Sequence, residues 1–426
     1  MANTPAEQSL GLIIHCQTQN DYITEDQVKA ALRADKGSNV QLLSWIVKEF
    51  TQKGDNYGCL IFSITVSYLE GSSVKEITYI AKCNPRWPTP DLKKRFRNLF
   101  EKEAGFFEHL VPLLNAKLVS VGEESLRTPT CFFINMVEDE EVIIFNDLRR
   151  RGFKMVDRKM GLDAAHTLLV LREIGRLHAV SVLVQSKLRE SLNDKYNFLI
   201  KELKDSEYFF IFMETATLRM SYIMEKIGGC QNLVTWARDF APKCSNAYWE
   251  LTRRSDPFDV LCHGDCWLNN FLFRYNECGA PVDVILLDFQ QCCLTSPGID
   301  LNFFMYSSFD GAYRRDNLPT FLKAYYESFS SVLEAGGSAL PYSSEELLLE
   351  YRRKNLFGFL TGLYVVPLAM CVDENVTDLS EVMDGGLEAF RKEKNERFIR
   401  QLENNPLLKT RLISLFDDLI EHGLIQ

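Results

Sequence analysis

The chain has no excess of positive charge. Its 48 Lys and Arg are outnumbered by 58 Asp and Glu, which gives a net charge of -10. That balance argues against nucleic acid as a partner, and no polybasic patch offers itself to a membrane surface. There is no CxxC pair and no Cys/His zinc spacing, although 12 cysteines are scattered along the chain. Several of them, such as Cys59, Cys83 and Cys131, lie inside apolar runs. Reduced, buried thiols in the cytoplasm are therefore expected, not a disulfide framework. The first residues, MANTPAEQSLGLIIHC, carry no charged n-region and too short an apolar core for a signal peptide. Residues 356–372 are uncharged over 17 positions, the low end of a membrane span. With Gly358, Thr361, Gly362 and Pro367 inside it, this stretch reads as a buried helix, so no membrane partner is expected. Internal repeats and low-complexity segments are also absent. What remains is a 426-residue chain, 46% hydrophobic and 25% charged. That is a globular composition, long enough for two lobes, and a monomer is expected.

Residues 260–290, VLCHGDCWLNNFLFRYNECGAPVDVILLDFQ, organise the rest. Val260 to Cys262 leads in as a strand. His263, Gly264 and Asp265 open a polar loop that closes on Asn269 and Asn270. A short apolar run follows from Phe271 to Phe273. Cys278 to Pro281 turn the chain, and Val282 to Leu287 is a buried-type strand ending in Asp288. One carboxylate, Asp265, can take a proton from a hydroxyl. One amide oxygen, on Asn270, and one further carboxylate, on Asp288, can hold magnesium, which takes oxygen ligands and keeps several waters. That is a minimal set for phosphoryl transfer from a nucleotide, where catalysis is mostly positioning and charge neutralisation. An ordinary β-hairpin with acidic tips is the alternative. It is disfavoured because three acid or amide groups on adjacent loop ends would repel or waste desolvation without a cation.

The wording resembles the small-molecule kinase superfamily of aminoglycoside phosphotransferases and choline kinases, and most of all its ecdysteroid-kinase-like branch. His263, Asp265 and Asn270 fit H-x-D-x4-N within HGDCWLNN, and Asp288 fits the metal-binding Asp within LLDFQ. Two ordered motifs about 20 residues apart with strands between them are far more specific than either alone. The resemblance implies an α+β, protein-kinase-like fold. It would have a small antiparallel-sheet lobe over residues 1–147 and a large, mostly helical lobe over 148–426, with the nucleotide between them. It implies ATP and Mg2+ as cofactors and a small-molecule hydroxyl as acceptor.

The N-terminal part reads as follows. Thr24 and Gln27 resemble a capping box ahead of VKAALRA. Residues 40–50 are expected to continue as an amphipathic helix. Leu60, Phe62, Ile64, Val66 and Tyr68 alternate with small polar residues, a half-buried strand. Residues 70–73 turn it back onto a partner strand over Ile77–Cys83. The resemblance lays the turn-rich loop at Gly54, Asn56 and Gly58 over the phosphates, although the protein-kinase G-x-G-x-x-G is missing. By the same resemblance Lys82, in YIAKCNP, grips the phosphates, and Glu103 holds Lys82. Phe100, Glu103, Phe106 and Phe107 share one face of the next helix, so Glu103 should point inward; Glu101 is the fallback. Two strand-like runs, at 130–134 and 142–145, lead to Asn146, Asp147 and Leu148. There the resemblance places the hinge whose backbone at Asn146 and Leu148 meets the nucleobase. Asn146 departs from the family's usual Glu, which leaves base preference open.

In the C-terminal part, His178 matches a family histidine but reads more simply as a core residue. Asp300 reads as a helix N-cap, as a carboxylate holding the catalytic loop's backbone N–H groups, or as both. Residues 195–255 are rich in large apolar groups, among them Phe209, Phe210 and Phe212. Core packing is the plain reading, and an apolar wall for the acceptor is the functional one. The acceptor is expected to be a largely apolar alcohol such as an ecdysteroid or a xenobiotic alcohol or glycoside. The rivals are a choline or ethanolamine kinase and a pseudokinase-like binding protein.

Overall fold

The structure, a computed structural model, describes residues 21–50, 58–87, 89–157, 161–200, 207–227, 231–254, 256–370, 396, 398–421, 423 and 425. The chain divides into two units. The first comprises Met1–Phe100 with Pro129–Gly152, and the second Glu101–Thr128 with Phe153–Gln426.

In the first unit, helix α1 (Glu25–Lys36) starts at the expected capping box: Gln27 N–H donates to Thr24 Oγ1 and Thr24 N–H to Gln27 Oε1. Strands β1 (Val40–Glu49), β2 (Leu60–Glu70), β3 (Ser73–Cys83), β4 (Cys131–Asn135) and β5 (Val142–Asn146) form one antiparallel sheet in the order β1-β2-β3-β5-β4. Phe62, Ile64, Val66 and Tyr68 of β2 and Tyr79, Ala81 and Cys83 of β3 share a core with Val28, Ala31 and Leu32 of α1. Because side chains alternate along a strand, Lys82 projects from the opposite face, between Ile61 and Ile143 on the neighbouring strands.

The helix expected over residues 40–50 is strand β1 instead, paired with β2 from Val40↔Glu70 to Glu49↔Phe62. The register shifts between Leu42 and Ser44. This bulge spaces the core-facing residues as Val40 and Leu42, then Trp45 and Val47. One extra residue thus breaks the period-2 pattern and leaves an i, i+3 spacing that imitates a helix.

Helix α2 (Pro90–Gly105) belongs to the first unit up to Phe100 and to the second from Glu101. It continues through one π-helical turn, Phe106–Leu110, into α3 (Val111–Ser120). The second unit is mostly helical: α4 (Ala164–Gln185), α5 (Glu207–Ile227), α6 (Gln231–Phe240) and α7 (Cys244–Leu251) precede four short strands. These strands are β6 (Val260–Cys262), β7 (Phe271–Tyr275), β8 (Pro281–Leu286) and β9 (Cys293–Thr295), paired as β6–β9 and β7–β8. Then come α8 (Pro297–Ser308), α9 (Gly311–Ala335), α10 (Ser344–Arg353), α11 (Asn355–Ala369), α12 (Pro406–Ser414) and α13 (Asp417–Glu421). The uncharged stretch that begins at Leu356 is helix α11, buried along most of its length and packed on α8. No helix of the described residues is long and apolar enough to cross a membrane. An antiparallel-sheet unit and a mostly helical unit make this the expected α+β, protein-kinase-like fold.

Helices α4 and α9 pack along one another, and Gly175 is what lets them approach. A Cβ there would lie 2.7 Å from the Tyr325 carbonyl oxygen and 3.2 Å from the Phe329 nitrogen. Gly175→Ala gains about 1 kcal/mol of helix propensity. It also forces two backbones apart, at a cost of about 1–3 kcal/mol or more. The expected net result is a lower urea midpoint, and an unchanged or higher midpoint would contradict this packing.

Candidate active site

The hairpin β7–β8 pairs Phe271 with Leu286, and its ladder runs one step further, where Leu287 N–H donates to Asn270 O at 2.9 Å. Asn270 and Asp288 therefore stand at the same end of the hairpin. Before β7 the chain makes a single 3-10 turn, Leu268–Asn270, with Asn270 N–H donating to Trp267 O and Trp267 N–H to Asp265 O. This turn brings Asn270 back onto Asp265. Asn270 Nδ2 donates to the Asp265 carbonyl at 2.8 Å and to its Oδ2 at 3.0 Å. With the amide nitrogen so engaged, Oδ1 is the end of Asn270 that is left to offer a ligand. Asp288 adopts φ +63°, a left-handed conformation unusual outside glycine. Gln290 Nε2 donates to its Oδ2 at 3.3 Å, which gives the Gln of DFQ a local role.

The loop that carries Asp265 is held from below by buried groups. Asp300, in the first turn of α8, accepts from His263 N–H at 2.7 Å and from Gly264 N–H at 2.8 Å. His178 Nε2 lies 3.0 Å from Asp300 Oδ2, and His178 Nδ1 lies 2.8 Å from the Tyr325 hydroxyl. A carboxylate only accepts, so Nε2 carries the proton; in the neutral ring Nδ1 then accepts from Tyr325. Burial would raise the Asp300 pKa, but the hydrogen bonds from His178 and from the Gly264 N–H hold it below the ordinary carboxylate value. His263 links the two halves of the site. Its Nε2 donates to Leu287 O at 2.8 Å, and its Nδ1 accepts from Asp265 N–H at 3.3 Å. Burial pushes its pKa down, consistent with the neutral ring those two bonds require.

Close packing completes the cradle. Gly264 has φ +82°, and a Cβ on it would fall 2.2 Å from the Gln291 carbonyl oxygen. Phe289, directly after Asp288, stacks on Phe106 at 3.8 Å between ring centroids and meets Phe107 edge-on. Both partners sit on the π-helical turn, a local widening that recurs at functional sites. His178, Cys262 and Asp300 also bring potential metal-ligating atoms close together. Those atoms have other work: Asp300 accepts the bonds above, and Cys262 S–H donates to Ser296 O. Burial raises the Cys262 thiol far above its usual range.

The structure thus brings Asp265, Asn270 and Asp288 together. Glu103, also in the second unit, is buried on α2, and Phe106 and Phe107 are buried on the π-helical turn that follows, as the helical face implies. In the first unit, Lys82 is buried on β3 and Leu148 is buried at the start of a 3-10 turn. Asn146 ends β5 and its Oδ1 accepts from Thr130 N–H at 2.8 Å, closing the sheet onto β4. Gly58 is half-buried; Gly54 and Asn56 lie outside the described residues. On α5, Met213, Met220 and Met224 are core residues, while the side chains of Tyr208, Phe209, Ile211 and Phe212 are outside the described ones. Tyr325 has no counterpart in the sequence reading. It stands 147 residues from the histidine it contacts, and no local pattern announces it.

The sequence model of the ecdysteroid kinase-like family matches residues 53–337 of this chain. An uncharacterised oxidoreductase of Caenorhabditis elegans, dhs-27, is 27% identical over 137 residues; the match spans 30% of this chain and 17% of that protein's length. Solved structures similar to this chain include a point mutant of aminoglycoside 2'-phosphotransferase-IIIa in complex with GDP (TM-score 0.43, 11% identity, 91% of this chain and 100% of that one). They also include the choline kinase LicA from Streptococcus pneumoniae (TM-score 0.33, 12% identity, 89% and 97%). A microcompartment-associated aminopropanol kinase is a third (TM-score 0.35, 11% identity, 97% and 99%).

Proposed function

The chain is a member of the ecdysteroid kinase-like family, and on that premise we propose that it transfers the γ-phosphate of ATP, with magnesium, to a hydroxyl of a small, largely apolar molecule. The observation that carries the reading is the junction of Asp265, Asn270 and Asp288 at one end of the β7–β8 hairpin. Asn270 Oδ1 and the Asp288 carboxylate are hard oxygen donors of the kind magnesium takes, so the residues present fit that ion. Bound there, it would neutralise charge on the phosphates. Asp265 accepts the proton of the acceptor hydroxyl. Asn270, by donating to Asp265 Oδ2, fixes the rotamer of the Asp265 carboxylate. His263 keeps the loop in register with the strand end that presents Asp288.

Lys82 and Glu103 are proposed to serve the nucleotide phosphates, with Gly54, Asn56 and Gly58 as backbone donors and Asn146 and Leu148 contacting the base. Lys82→Met is expected to raise the KM for ATP by about tenfold or more, the scale of a lost charge-assisted contact. Titration of ATP at saturating acceptor measures it, and an unchanged KM and kcat would remove Lys82 from the site. The cysteines among the described residues are free thiols, most of them buried, which fits a reducing compartment and supports the cytoplasm as the location.

The acceptor class rests on the wording HGDCWLNN and LLDFQ, closer to the ecdysteroid-kinase-like branch than to choline kinases. A competition assay tests it, setting ecdysteroids and hydroxylated or glycosylated aromatics against choline, ethanolamine and aminoglycosides. Turnover is expected of an apolar alcohol. Phosphorylation of choline with no turnover of any apolar alcohol would overturn this reading.

A further inference from the structure

Behind the loop that carries Asp265, within the second unit, lies a cavity of about 210 Å³. Leu268, from the turn between Asp265 and Asn270, forms part of its wall, and Arg411 of α12 lies on it too. The Arg411 Nη2 donates to Ser307 O at 3.0 Å, and its Nε makes no hydrogen bond. Among the described residues no carboxylate lies within ion-pair distance of Arg411. Ser308, on the same wall, has a buried hydroxyl that also makes no hydrogen bond. Burial, reinforced by the neighbouring Arg314 charge and only partly offset by the Asp310 carboxylate, pulls the Arg411 pKa down to about 9. Arg314 itself is satisfied, with Nε donating to Asp418 Oδ2 at 2.6 Å.

A half-buried guanidinium with an unsatisfied Nε and no ion-pair partner, and a buried hydroxyl without a partner, are both costly. On one cavity wall the same addition relieves them. We propose that this cavity binds the anionic oxygen group of a small ligand, a carboxylate or a phosphate, with Arg411 as counter-charge and Ser308 as hydroxyl donor. A guanidinium matches either group through paired N–H donors. The one acid on the wall, Asp310, is exposed, and its Oδ1 accepts from Tyr313 N–H as the cap of α9, so it stays at the rim. The remaining wall offers Leu162, Leu268 and Phe309, an apolar seat for whatever carries the anion. The volume corresponds to about seven waters, room for an oxyacid group on a ring-sized body. The ligand is an organic acid or a free inorganic anion, which share this chemistry. The inference concerns binding alone and stands whether or not the proposed acceptor class is right.

Isothermal titration of the full chain with benzoate, inorganic phosphate and the neutral benzamide tests it. At least one anion is expected to bind one to one, and benzamide is expected not to bind. Binding of benzoate identifies an organic acid as the source, and binding of phosphate alone identifies the free ion. Arg411→Met is expected to weaken the bound anion by about tenfold or more, with Arg411→Lys losing less. Dependence on Arg411 separates this cavity from phosphate held at the proposed nucleotide site. Should Arg411→Met fail to fold, Ser308→Ala decides, with a loss of several-fold expected. No anion binding, equal binding of benzamide, or affinity untouched by the Arg411 and Ser308 changes would overturn the proposal.

Discussion

Asp265→Asn is expected to lower kcat by roughly 10²–10⁴-fold, the usual contribution of a positioned proton acceptor. The KM for ATP should change little. The substitution removes basicity and leaves shape nearly intact: an amide oxygen at 265 can still accept from Asn270 Nδ2, which now meets Asp265 Oδ2 at 3.0 Å. The backbone bonds of the loop, to Asp300 and Trp267, do not involve this side chain. Steady-state kinetics on a verified acceptor, with an unfolding curve on the same preparation, separate chemistry from stability. Near-normal kcat in Asp265→Asn would mean that another group takes the proton.

Asp300→Ala is expected to cost stability first and activity with it. The side chain is wholly buried, accepts from two loop N–H groups and faces His178. Truncation leaves His263 N–H, Gly264 N–H and the His178 ring without their acceptor, and each buried donor left unsatisfied in this way costs about 1–3 kcal/mol. Asp300→Asn is not a benign control, because its amide nitrogen would face a donor in place of an acceptor. The sign with pH follows from the depressed pKa of Asp300. The contribution is full above the unfolded value of about 3.9 and is lost as pH falls through the lower folded value. Wild type and variant should therefore converge in acid. Urea unfolding of both at neutral and low pH measures this; equal midpoints at neutral pH would show that the loop does not depend on Asp300.

Local chemistry made much of the molecule legible in the sequence. The strand–loop–hairpin over residues 260–290 is written in short range: apolar runs set the strands and Gly279 with Pro281 the turn. The capping box at Thr24 and the inward face of α2 follow from spacings of three and four. What escaped the sequence has nonlocal or irregular causes. Strand β1 was hidden because its bulge at Leu42–Ser44 destroys the alternation that identifies a strand. The π-helical turn at Phe106–Leu110 shifts a helix by a fraction of a turn, which no apolar period registers. Tyr325 reaches His178, and Arg411 reaches Ser307, across separations of 147 and 104 residues. Such contacts are decided by how helices pack, and Gly175 and Gly311 are residues whose smallness records that packing.

The central claim is phosphoryl transfer from a nucleotide at the junction of Asp265, Asn270 and Asp288. The most direct measurement incubates the purified chain with ATP labelled at the γ-phosphate, a panel of apolar alcohols and magnesium, and follows the label into organic phosphate. Wild type is expected to transfer label to at least one alcohol, to stop when magnesium is chelated, and to be inactive as Asp288→Ala. Transfer that persists without magnesium or in Asp288→Ala would contradict the account. So would ATP that stays intact with every acceptor while the folded chain still binds one of the alcohols, the behaviour of a binding protein.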